Sequence, residues 1–217
     1  ESLAMTTRRT FLTSATTIGA GLAIGAPHAV ADPGEITGQP TADLPPAIRA
    51  LRPMTAGVVP ISVAERQGRI ERATRLMRER GIDALMLTGG TSMVYFMGIA
   101  WGISERLLAA FLPVRGRPFL VTPKFEEERA MEQVALGPMQ GGADVYAWEE
   151  HEDPYALVAQ ALQARGLATA TIACEETVRF QFSHGISRLA AVTVVDGTPV
   201  TAGCRMVKDA HEIALMR

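Results

Sequence analysis

The sequence is poor in three things. It has two cysteines in 217 residues, too few for a disulfide scaffold. It has no block of Lys and Arg, and 21 basic against 23 acidic residues leave a net charge of −2. A nucleic-acid binder needs clustered cations to neutralise phosphates, so that class is set aside. It also lacks a long apolar run. The most apolar N-terminal stretch is broken by Gly19, Gly21, Gly25 and Pro27, whereas a membrane-spanning helix needs about 20 apolar residues in succession. Several chemical signatures are missing as well. Gly89-Gly90-Thr91-Ser92 has neither the Lys-Ser/Thr end of a P-loop nor the third glycine of a dinucleotide loop. Ser92, Ser104 and Ser183 sit in no nucleophile elbow. No pair among His28, His151, His184 and His211 has helical zinc-site spacing, and Cys174 and Cys204 are too isolated for a thiolate site. Whether those two cysteines pair is left open by their spacing.

What is present is ordinary globular material, 47% hydrophobic and 20% charged, enough for a sizeable core. The first 31 residues read as an address. Glu1-Ser2-Leu3-Ala4 look like a remnant ahead of Met5. Arg8-Arg9 precede Phe11-Leu12, a mild Gly/Ala-rich stretch follows, and Ala29-Val30-Ala31 supply the small residues of a cleavage site. This is a twin-arginine signal peptide, so export to the periplasm or beyond is expected, with mature protein starting at Asp32. Residues 32–60 form a Pro-rich arm, with Pro33, Pro40, Pro45, Pro46, Pro53 and Pro60 stopping any regular element beyond one helical turn.

From Ile61 helices and strands alternate. Ser62-Val63-Ala64-Glu65 is a capping box, Ile70, Ala73, Leu76 and Met77 form one apolar stripe, and Gly81 stops the helix. Ala84–Thr88 is a short apolar run suited to a strand buried on both faces. Leu107–Pro113 and Pro118–Val121 read as strands joined by Arg115-Gly116-Arg117, Glu126–Gln133 as a helix, and Val145–Trp148 as a strand. Asp153-Pro154 starts a helix that Gly166 stops. Ala170–Cys174 and Val192–Val195 are further strands, and Asp196-Gly197 is a hairpin signal into Pro199-Val200-Thr201. The expected class is α/β, a mixed β-sheet flanked by helices, in one domain over 61–205. At the end, Asp209 and Glu212 cap a new helix. Ile213, Leu215 and Met216 begin an apolar pattern without partner or stop signal, so 206–217 is expected to lead into a larger part beyond Arg217.

Chemistry-bearing residues are sparse. Glu149-Glu150-His151-Glu152-Asp153 is the densest cluster, but acids before a helix start are more simply used as caps. Ligands of open α/β sheets sit beyond the carboxyl ends of strands. The stretch after 84–88 carries Tyr95, Trp101 and Arg106. Rings can pack on a proline ring and an arginine can hold a carboxylate. The plainer alternative puts the two rings in the core and pairs Arg106 with an acid.

The succession from Ile61 to Arg217 resembles the N-terminal domain of the creatinase and prolidase family, which includes the metal-dependent Xaa-Pro peptidases. The matching pieces include Arg80-Gly81-Ile82-Asp83-Ala84-Leu85, Met93-Val94-Tyr95-Phe96-Met97-Gly98, Ser104-Glu105-Arg106-Leu107, Pro123-Lys124-Phe125-Glu126, Trp148–Pro154 and Arg205-Met206-Val207-Lys208. The resemblance implies a domain that is not catalytic, helps dimerise the enzyme and walls its substrate cleft. It implies a separate C-terminal catalytic domain holding two divalent ions (Mn, Co or Zn) and acting on proline-containing peptides. It also implies an aromatic near Tyr95 facing that cleft. None of the family's metal ligands falls within this sequence. A creatinase-type amidinohydrolase or lyase, or a stand-alone binding domain, are the alternatives.

Overall fold

A computed structural model describes residues 44–217 other than Met54, Gln140, Gly141 and Ala190. Arg8, Arg9, Ala29 and Ala31 therefore lie outside the described residues. Before Met54 the described residues carry one helical turn, α1 (Pro46–Arg49), entered through Pro45. Proline suits the first helical position, held here by Pro46, because its missing N–H has no helical partner there anyway.

Thr55–Arg217 is a compact unit of its own. It opens with α2 (Val63–Glu79), where Ser62 Oγ accepts from the Glu65 amide and the Glu65 carboxylate accepts from the Ser62 amide. There follow β1 (Ala84–Thr88), α3 (Thr91–Met97), β2 (Ala109–Pro113), β3 (Phe119–Pro123), α4 (Glu127–Leu136), β4 (Asp144–Trp148), α5 (Pro154–Gln163), β5 (Thr171–Cys174), α6 (Phe180–Leu189), β6 (Thr193–Asp196), α7 (Thr198–Arg205) and α8 (Ala210–Leu215). The strands form one sheet in the order β4-β3-β2-β1-β5-β6. β2 runs antiparallel to both its neighbours, while β1–β5, β5–β6 and β3–β4 are parallel pairs. This is the mixed sheet expected from the alternating pattern.

Every residue of β1 is buried, and side chains alternate between two cores, as strand geometry requires. Ala84 and Met86 join Phe111, Phe119 and Ile172 under α5 and α6. Leu85 and Leu87 join Leu112, Leu120 and Ala173 under α2, α3, α4 and α7. Burying a Leu, Phe or Met side chain contributes about 1.5–3 kcal/mol each, which is why a strand with four apolar residues in succession belongs at the centre.

One expectation is overturned, and three points left open by the sequence are settled. Asp196-Gly197 does not turn a hairpin. Asp196 Oδ1 accepts from the Thr198 amide at 3.0 Å and its hydroxyl at 2.6 Å, and Pro199 sits in the first turn of α7. A parallel edge strand has to leave the sheet, and Asp followed by Pro begins a helix as readily as Asp-Gly begins a hairpin. The stretch Met93–Met97, which shows no clear element in sequence, is the end of α3. α6 is also unannounced, since Gly185 lies in its middle. A Cβ there would meet the Tyr155 ring at 2.5 Å, so the glycine serves close packing of α6 on α5. Finally, Cys174 and Cys204 are free and lie in different cores, on opposite faces of the sheet.

Candidate functional site

The parallel strands end on one edge, where the loops after β1 and β5 meet the segment preceding β2. Gly89 makes this convergence possible. A Cβ on it would stand 2.3 Å from the Gly102 carbonyl oxygen, far inside contact distance, so any other residue would push the two segments apart. A crevice of about 250 Å³ lies here, lined by Gly90, Ser92, Ile103, Glu176, Thr177 and Arg205.

Its polar groups come from the loop after β5, from α3 and from α7. Glu175 is only 3% exposed, and its Oε1 accepts from the Thr177 hydroxyl at 2.5 Å. Glu176 accepts from the Thr201 hydroxyl at 2.5 Å and stands 3.6 Å from Arg205. Arg205 in turn donates to Ser92 Oγ at 3.1 Å, and Arg179 donates to the Ser104 carbonyl at 3.2 Å. Sequence reasoning passed over this group. Its signal was two acids directly after an apolar strand, Glu175-Glu176 following Thr171–Cys174, at an edge where ligands gather.

The three residues singled out in sequence point to three different neighbours. Arg106 reaches across to the turn after β4. Its Nε donates to Glu150 Oε1 at 2.7 Å and its Nη1 pairs with Glu105. The hydrogen bond to Glu150 raises its pKa further. The side chain stays 39% exposed and stands 5.6 Å from the Phe125 ring centre. Trp101 is buried, with the Arg129 guanidinium 4.1 Å over its ring. Tyr95 faces α2 and α7. Its hydroxyl donates to the Cys204 carbonyl at 2.9 Å, and burial pushes its pKa up. Arg69 lies 4.0 Å over its ring and donates to its carbonyl at 3.1 Å. The same Arg69 pairs with Glu212 on α8 at 2.9 Å.

The acidic cluster is committed locally. Glu152 accepts from the Glu149 amide at 2.8 Å, Glu150 holds Arg106, and Asp153 caps α5 through the Tyr155 amide at 2.9 Å. Among the described residues no group of three or more His, Cys, Asp or Glu is gathered to hold a metal ion. The cysteines are packing residues. Burial pushes the Cys174 thiol up to about 12 and raises that of Cys204, away from the thiolate that a ligand or nucleophile needs.

The model of the creatinase/prolidase N-terminal domain matches residues 69–207. The chain belongs to that family. The match begins within α2, ends after α7 and takes in the whole sheet. Relatives put it in context. The chain is 30% identical over 183 residues to an uncharacterized peptidase of Schizosaccharomyces pombe, covering 79% of this chain and 39% of that protein. It is 30% identical over 149 residues to the probable dipeptidase PepE of Mycobacterium tuberculosis, covering 69% and 38%. The crystal structure of dipeptidase PepE from Mycobacterium ulcerans superposes with a TM-score of 0.63 at 30% identity, over 72% of this chain and 40% of that one. The chain thus spans about two fifths of the length of these relatives.

Proposed function

We propose that this chain is the non-catalytic N-terminal part of an exported, metal-dependent dipeptidase or aminopeptidase acting on proline-containing peptides. The observation that carries the reading is the family match over the whole sheet, together with relatives named as peptidases and dipeptidases, of which this chain covers only 38–39%. In this reading α8 leads into a catalytic part that supplies the metal ligands. The ions there would polarise the scissile carbonyl and provide the hydroxide nucleophile. This chain's share is binding and exclusion. Its carboxyl-edge loops wall the cleft, and a homodimer brings a second such wall. Arg106 has the exposure to meet a peptide carboxylate, while Tyr95 and Trp101 hold the wall in place. Arg8-Arg9 and Ala29-Val30-Ala31 support export through the twin-arginine route.

The test compares residues 32–217 with the longer protein that the gene encodes, each supplied with manganese, cobalt or zinc. The longer protein is expected to hydrolyse Xaa-Pro dipeptides and the shorter to release no proline, and the exported form should begin at Asp32. Turnover by residues 32–217 after re-purification would overturn the reading. So would a longer protein that leaves Xaa-Pro bonds intact and cleaves creatine-like amidines.

A further inference from the structure

The N-terminal turns of α2 and α8 are joined by a reciprocal arrangement. Each helix opens with a capping box, Ser62 with Glu65 and Asp209 with Glu212. In each box one carboxylate oxygen stays home. Glu65 Oε2 accepts from the Ser62 amide at 2.7 Å, and Glu212 Oε2 accepts from the Asp209 amide at 3.0 Å. The other oxygen crosses to the opposite helix. Glu212 Oε1 takes Arg69 Nη2 at 2.9 Å, and Glu65 Oε1 takes His211 Nδ1 at 2.5 Å.

The two crossings differ in kind. A guanidinium keeps its charge throughout the working pH range, whereas imidazole changes charge near neutrality. Moreover, both ring nitrogens of His211 face oxygen. Nε2 stands 2.9 Å from the Val59 carbonyl, in the segment ahead of α2. A neutral ring has one N–H and one lone pair, so it can satisfy only one of these oxygens and sets a lone pair against the other. Only the imidazolium donates to both.

We propose that His211 is a pH-operated latch. When protonated it fastens α8 and the Val59 segment to the first turn of α2. When neutral it releases them, and the Arg69–Glu212 pair remains as the pivot. The charged groups acting on the ring are Glu65 from α2 and Asp209 from its own helix, both favouring the proton. The hydrogen bond to Glu65 comes first among the causes that raise the His211 pKa above its ordinary 6.5, followed by that to Val59. The latch is therefore fully closed below 6.5 and opens as pH rises through the higher, folded-state value. It rests on this chain's own contacts and stands apart from the peptidase reading.

The test is an NMR titration of residues 32–217 between pH 5 and 9, following the His211 ring and the amides of Val59, Ala210 and Ile213. The ring is expected to titrate above 6.5, with those amides moving at the same midpoint. In Glu65→Gln the midpoint falls back toward the ordinary value, while glutamine still serves as the capping-box acceptor and keeps α2 intact. In His211→Gln the amides stop responding to pH in this range. A ring that titrates at or below 6.5, or one that titrates without moving α8 and Val59, overturns the latch. The wild-type titration alone decides if either variant fails to fold.

Discussion

Arg69 and Arg106 do the same chemistry in two regions and do opposite jobs. Arg69 and Glu212 have side chains only 10% and 11% exposed, and Arg69 also covers the Tyr95 ring. Arg106 is 39% exposed, and its partners Glu105 and Glu150 are 72% and 57% exposed. Removing water from an ion pair strengthens the attraction and raises the cost of losing one partner, whereas a hydrated pair is screened and replaceable. The Arg69–Glu212 pair is thus built to stay, whereas the solvated Arg106 can leave its partners at little cost. Ion pairs seen in one structure have to be weighed by burial before they are assigned to fold or function.

The largest expected effect tests the buried side. Glu212→Ala leaves Arg69 largely buried without its counter-charge, and should cost about 3–5 kcal/mol of unfolding free energy in urea. A loss below about 1 kcal/mol would mean that water screens this pair as it does a surface one.

The next sharpens the exposed side. Arg106→Ala should leave the urea midpoint of this chain nearly unchanged, because its partners are solvated. In the longer protein it should lower kcat/KM for a proline-containing dipeptide by roughly fivefold to a hundredfold. A variant that loses stability and keeps full kcat/KM would move Arg106 to the structural class.

The smallest effect concerns acid. Hydrogen bonds from Ser62, and then from His211, lower the Glu65 pKa from 4.5 to about 2. A depressed carboxylate contributes stability that is complete above its ordinary value and is lost as pH falls through the folded one. The melting temperature should therefore drop between pH 4.5 and 2 more steeply in the wild type than in Glu65→Gln. Parallel curves would show that the Glu65 carboxylate contributes nothing to the junction.

The candidate site was less legible than the fold. Glu175 and Glu176 read as two acids after a strand, and only the packing of α7 and of the Gly89 and Gly102 segments beside them makes a crevice there. Tyr95, Trp101 and Arg106 are close in sequence, yet α3 and the following loop send them toward α7, α4 and β4 respectively.

Short-range chemistry was settled by sequence alone. Ser62, Asp153 and Asp209 cap the helices that their side chains announce. Apolar runs such as Ala84–Thr88 became buried strands, because a capping oxygen or an apolar run needs partners only a few residues away or a generic core. Tertiary structure decided whatever depends on distant neighbours. It set Cys174 and Cys204 on opposite faces of the sheet, turned Asp196-Gly197 into a helix start, and placed His211 between Glu65 and Val59. Residues about 150 positions apart meet there only because α8 folds back onto α2, a contact whose free energy depends on burial and long-range packing that no local pattern records.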